Sequence, residues 1–135
     1  MATDLSHIAE VVSSKLKHLS PEISFSPEYD LHELSNQKCV IVPLSSVPMP
    51  LCRNSKFIET VSEIEIGFLY RAKKIDVQKL ISEVKDIAAM FQHIKVGNAR
   101  CIKISHDPLF DPEQLRERNQ FTSVISLTFK EISND

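Results

Sequence analysis

Glu63 and Glu65 stand at alternate positions of Glu63-Ile64-Glu65-Ile66-Gly67. Alternate residues of a strand share a face, so this spacing sets two carboxylates side by side. Such a pair can divide acid and base roles if one group is held protonated. The same pattern also describes a solvated strand face, and spacing alone favours that simpler reading. His106-Asp107 offers half of a nucleophilic relay, with Ser123 or Cys101 as the nucleophile. No glycine-flanked nucleophile turn accompanies them, so His106 reads as a strand-end residue and Asp107 as a turn former. His7, His18, His32 and His93 are scattered without ligand spacing, and Cys39, Cys52 and Cys101 contain no C-x-x-C pair. The sequence thus predicts no catalytic residue, no metal and no cofactor.

Composition narrows the classes further. The 135 residues are 42% hydrophobic and 25% charged, which suits one folded, soluble domain over residues 1–135 with its own core. Gly67 and Gly97 are the only glycines, so no phosphate-cradling glycine loop can be written. A formal net charge of -2 argues against a stable grip on nucleic acid. The odd number of widely spaced cysteines argues against a disulfide framework, with Cys39 and Cys101 expected as buried thiols in strands. The N-terminus lacks a basic stretch followed by an apolar one, and no run approaches the roughly 20 apolar residues that span a bilayer. Neither export by a cleavable signal nor membrane association is expected.

The elements that must position these groups follow from periodicity. Leu5, Ile8, Ala9, Val12, Leu16 and Leu19 fall at helical spacing, with Thr3 as N-cap and Ser20-Pro21 as terminator. Residues 23–25 suit a short strand, and residues 26–37 a polar loop with a turn or two of helix. Residues 38–44 are short, β-branched and apolar on both faces, as a central buried strand would be. Residues 45–56, with Pro48 and Pro50, predict a loop. Val47, Met49 and Leu51 make it too apolar for a solvated linker, so they either fold back or meet a partner. Residues 57–73 alternate, with Ile58, Ile64, Ile66, Phe68 and Tyr70 on one face and Glu59, Glu63, Glu65 and Arg71 on the other, and Gly67 is a candidate bulge. Asp76 is placed to cap a second helix, stapled by Ile75 and Leu80, whose core face is Val77, Leu80, Ile81, Val84, Ile87, Ala88 and Phe91. Gly97 is placed as its left-handed stop. A strand over residues 100–105 follows.

The final run combines three signals. Asp107-Pro108 and Asp111-Pro112 fix proline φ angles, and Asp111 and Pro112 suit the N-cap and first position of a short helix over residues 113–119, with Gln114 where a capping box wants it. The last strand then alternates Phe121, Ser123, Ile125, Leu127 and Phe129 on a core face with Thr122, Val124, Ser126, Thr128 and Lys130 on a wet one. The predicted order is α-β-β-β-α-β-β, a mainly antiparallel sheet packed by two main helices, an α+β fold.

The Asp-Pro segment, the Pro112-Glu-Gln-Leu-Arg-Glu helix and the alternating strand from Gln120 resemble, in that order, the C-terminal part of neck and tail proteins of tailed bacteriophages and prophages. The tail terminator or tail completion family is the one most resembled. The likeness extends upstream through Glu63-Ile-Glu-Ile-Gly67, the helix from Asp76 and the strand at Arg100, so it covers about the last two thirds of the chain. It implies a homo-oligomeric ring, commonly a hexamer, that caps the tail tube and joins head to tail. The implied partners are the tail tube protein and a head-tail connector protein, with DNA passing through unbound by sequence. The implied place is the neck of the virion, after assembly in the host bacterial cytoplasm.

Arg116 and Arg118, two residues apart, cannot share a helix face, and Glu113 and Glu117 lie beside them at i, i+4 spacing, as on any solvated helix. The resemblance adds a subunit contact in which Arg116 and Arg118 pair with carboxylates and Phe110 and Phe121 are apolar anchors. In a ring, the face bearing Glu63 and Glu65 would line the channel or meet a basic neighbour. A head completion or head-tail adaptor role is the alternative within phage structure. A small hydrolase using the glutamate pair or His106 is the enzymatic alternative, and the sparse glycine and missing nucleophile turn oppose it.

Overall fold

The computed structural model describes residues 3–25, 36–52, 56–71, 76–106 and 110–134. Residues 26–35 of the loop expected over 26–37, Ile75 of the helix staple and Asp107-Pro108 lie outside the described residues, and Gln37 already belongs to a strand. In chain order the elements are α1 (Leu5–Lys15), a 3-10 turn (Lys17–Leu19), β1 (Glu22–Ile23), β2 (Gln37–Pro50), β3 (Phe57–Arg71), α2 (Val77–Met90), β4 (Lys95–Val96), β5 (Ala99–His106), α3 (Pro112–Arg118) and β6 (Gln120–Asn134). The six strands form one sheet in the order β1-β2-β3-β6-β5-β4. Every neighbouring pair is antiparallel except β1 with β2. The fold is α+β, and its element order follows the expected one with the small strand β4 and the short helix α3 added.

β3 and β6 are the centre of the sheet, each 15 residues long and paired from Phe57↔Asn134 to Arg71↔Gln120. Strict alternation along both fixes their register, because a one-residue slip would turn every apolar side chain to the opposite face. Ile64, Ile66 and Phe68 of β3 and Phe121, Ile125, Leu127 and Phe129 of β6 are fully buried. They join Cys39 and Ile41 of β2 and Cys101 of β5 in one core with Ile8, Ala9 and Val12 of α1 and Val84, Ile87 and Ala88 of α2. Each large apolar side chain buried here contributes roughly 1.5–3 kcal/mol, so the sheet face and both helices stand or fall together.

Several local expectations are corrected. β2 is second from the sheet edge and not central, and it runs on past residue 44 as a paired strand to Pro50, replacing the first half of the loop expected over residues 45–56. Prolines are tolerated there because of their phase. Leu51 donates its N–H to Phe57 O at 3.1 Å, so by alternation the nitrogens of Pro48 and Pro50 face away from β3, toward an edge that no other strand pairs there among the described residues. The bulge falls not at Gly67, which pairs in register with Val40 and Val124, but between Pro43 and Ser45. The second face of β6 is not uniformly wet, since Thr122 and Val124 are buried.

The helix caps also differ in detail. Asp4, not Thr3, caps α1 by accepting from Ser6 N at 3.1 Å. Thr3 instead ties the start of the chain to the far end of the sheet: its N–H and hydroxyl donate to the buried carboxylate of Glu131, the latter at 3.2 Å. Asp76 precedes α2 in helical dihedrals and makes no side-chain cap. Asp111 does cap α3, accepting from Glu113 N at 3.1 Å and Gln114 N at 3.4 Å, whereas the buried Gln114 Oε1 finds no hydrogen-bond partner among the described residues and closes no capping box.

Gly97 does not end α2; His93, at φ 63°, takes the left-handed position after it. Gly97 opens the two-residue turn that joins Val96 to Ala99, at φ 58°. A Cβ on Gly97 would lie 2.6 Å from Thr3 Oγ1. Gly97→Ala is therefore expected to cost about 1–2 kcal/mol from the backbone alone, and more if Thr3 is displaced from Glu131. Urea unfolding curves at constant slope would measure it.

Candidate docking surfaces

The end of the β2–β3–β6 arm carries an apolar patch. After the Pro43/Ser45 shift, Val47 pairs with Val61 beside Lys130, and Met49 pairs with Glu59 beside Ile132, all on the sheet face away from the helices. Val47, Pro50, Leu51 and Val61 share with Met49 and Glu59 a shallow hollow of about 230 Å³. Its rim is exposed to an unusual degree for apolar groups: Val47 49%, Met49 60%, Leu51 44%, Phe57 49% and Ile132 53%. An ion pair from Lys130 to Glu59, 3.4 Å long, sits within the patch. Contiguous apolar surface with a polar accent is the composition of a contact site. The prolines on the edge of β2, unpaired at this end among the described residues, deny a partner strand its hydrogen bonds, so a partner would cover the face and not extend the sheet.

A second surface lies at the opposite end. Phe110 stacks on Phe121 with centroids 5.7 Å apart, and Tyr70 tilts against Phe121 at 6.1 Å. Burial beside Glu83 and Cys39 pushes the Tyr70 phenol up to about 12, desolvation being the main cause, so this aromatic group is neutral in ordinary solution. Above it, Val77 and Gln78 of α2 face Phe110, Pro112, Leu115 and Arg116 across an open cleft of about 640 Å³. Eleven residues of β3 separate the row of Glu59 from that of Tyr70, which at strand rise places the two surfaces about 35–40 Å apart.

The expected contact residues therefore fall into two groups. Val47, Met49 and Leu51 come together on the arm; Phe110 and Arg116 line the cleft. Arg118 lies on α3 outside the cleft, with its carbonyl accepting from Arg71 Nη1 at 3.2 Å. Phe121 is corrected: it is fully buried and supports Phe110 from beneath. Phe57 and Ile132 were missed, although an apolar residue continuing the polar series from Thr122 to Lys130 was a legible signal.

The residues proposed for chemistry are not brought together. Glu63 is exposed and Glu65 half-buried on the face away from the helices, the latter paired in register with Val42 and Ser126. Cys101 is five residues from His106 along β5, about 16 Å at strand rise, and Ser123 is fully buried. Among the described residues no cluster of three or more His, Cys, Asp or Glu could hold a metal. No helix among them is long and apolar enough to cross a membrane.

The thiols differ sharply. Burial pushes Cys39 up to about 12 and raises Cys101 despite backbone hydrogen bonds, whereas Cys52 is exposed. A chromogenic disulfide reagent is expected to titrate one thiol rapidly in the native protein and all three after denaturation. Rapid reaction of two or more native thiols would contradict the burial of β2 and β5.

Protein-family models and curated protein sequences give no match to this chain.

Proposed function

We propose that this protein is a ring-forming structural subunit of the bacteriophage neck, acting as a tail terminator that caps the tail tube and joins it to the head. The observation that carries the reading is the pair of unlike docking surfaces at opposite ends of one rigid sheet. An apolar patch and a cleft that differ in shape favour head-to-tail contacts, and head-to-tail contacts generate rings when the rotation closes. The long β3 and β6, the helix from Val77, and the short α3 preceding the last strand also keep the order on which the phage resemblance rests. In this reading copies of the chain form the ring, commonly a hexamer. The tail tube protein and the head-tail connector protein bind its two faces, and DNA passes through the opening. The weak negative charge prevents sticking. The ring assembles in the host bacterial cytoplasm and remains in the virion.

Disruption of the gene in a phage that carries it is expected to leave separate heads and tails under the electron microscope, and a plasmid copy should restore joined particles. Joined, infectious particles without the protein would overturn the proposal.

A further inference from the structure

The sheet face away from the helices is charged in stripes. Along β3 it carries Glu59, Glu63 and Glu65, and across β4, β5 and β6 it carries cations. Lys95 of β4 pairs in register with Arg100 of β5, and Arg100 pairs with Lys130 of β6. Residues directly opposite one another share a face, and adjacent strands lie about 4.8 Å apart, so three like charges stand side by side in one row. Lys103 extends the cluster to the next row, where it pairs with Thr128. Arg100 and Lys103 are three residues apart and would point to opposite faces of a regular strand. The register shift between Cys101 and Lys103 inserts one extra residue and brings both to the same face. Bulges serve to re-aim side chains in this way.

Like charges directly opposite one another destabilise a sheet. Lys130 is relieved by Glu59, 3.4 Å away. Lys95, Arg100 and Lys103 are exposed, and their side chains have no ion-pair partner among the described residues. Glu63 stands in the row of Lys103 but two strands away, about 10 Å between backbones, so the acidic stripe borders the cluster on one side. Ser126 and Thr128 of β6 fill the strip between the stripes with hydroxyl groups. The rows of Arg100 and Lys103 contain no aromatic residue from β2 to β5. The cluster adjoins the arm patch at Lys130, and its three unpaired cations lie outside that patch.

We propose that this cluster is a contact for the phosphodiester backbone of DNA, with Lys95, Arg100 and Lys103 as the cations that meet the phosphates. Unpaired cations beside hydroxyl groups are what backbone contacts use. Protein contacts instead deplete charge at their centre and place aromatic anchors there, whereas DNA contacts are the more positively charged kind. A flat sheet face puts no element into a groove, so the contact is independent of base sequence. Few phosphates are met, so one copy binds weakly, in keeping with a net charge of -2. A ring presents the cluster once per subunit, and linked weak contacts reinforce one another. The choice of DNA over another polyanion rests on the neck reading, in which DNA passes the subunit.

A labelled duplex of random sequence titrated with the whole protein, followed by fluorescence anisotropy over a series of low salt concentrations, tests it. Contact with three or four phosphates gives a slope of log affinity against log salt of about -3. Lys95→Gln, Arg100→Gln and Lys103→Gln are each expected to reduce that slope by about 1, and the three combined to abolish binding. Lys15→Gln, Lys79→Gln and Lys85→Gln combined remove the same charge from exposed positions of α1 and α2 and should retain the slope. Lys95→Arg, Arg100→Lys and Lys103→Arg combined keep the charge and should bind as the wild type does, which separates loss of charge from a folding defect. Absence of binding at low salt, equal loss in the two glutamine triples, or displacement of the duplex by polyglutamate as readily as by unlabelled DNA would overturn the proposal. The neck reading would survive that failure, because it is decided by whether heads and tails join without the protein.

Discussion

Leu127→Asp is expected to prevent folding. Leu127 is fully buried at the middle of β6, between Ile64 of β3 and Ile104 of β5. Loss of a core leucine alone costs about 2–5 kcal/mol, and the carboxylate adds the penalty of a buried charge without a partner. A domain of this size has roughly 5–15 kcal/mol in total. The control is Thr128→Asp, one residue on and half-exposed on the other face, which is expected to cost no more than about 1 kcal/mol. Circular dichroism and soluble yield would separate them. If both variants fold equally well, the inward face of β6 has been assigned the wrong way round.

That register could be read from the chain because Phe121 to Phe129 alternates without a break, and period two leaves only one apolar face. The same logic gave the core face of α2, where Val84, Ile87, Ala88 and Phe91 are buried as spaced. It failed where two rules competed. Pro48 and Pro50 signal a loop by local chemistry, yet they sit at alternate positions whose nitrogens point away from β3, and that geometry depends on which strand lies alongside. Gly97 looked like a helix stop, but His93 accepted the left-handed position and left the glycine for the hairpin. The docking surfaces were half legible. Val47, Met49 and Leu51 announced themselves as apolar residues in a proline-rich segment. Their joining with Phe57 and Ile132 required the pairing of three strands, and burial of Phe121 required α3 to fold over it.

The arm patch gives the sharper test of assembly. Val47→Asp, Met49→Asp and Leu51→Asp combined are expected to weaken ring formation, or attachment to the tail tube, by more than about a hundredfold, because each carboxylate must shed its water at the contact. The side chains are 44–60% exposed in the single chain, so the melting temperature should change little. Replacement by aspartate is preferred to alanine because it penalises burial outright and does not merely shrink the contact. Pairing the triple variant with Arg116→Glu in the cleft distinguishes the two ends. If the contact is head-to-tail, a mixture of the two variants retains one intact patch and one intact cleft and should form pairs that do not close into rings. Mass photometry beside circular dichroism reads both quantities, with tail tubes added if the wild type remains monomeric alone. A triple variant that completes tails as well as the wild type in complementation would show that this exposed apolar surface is not where the partner docks.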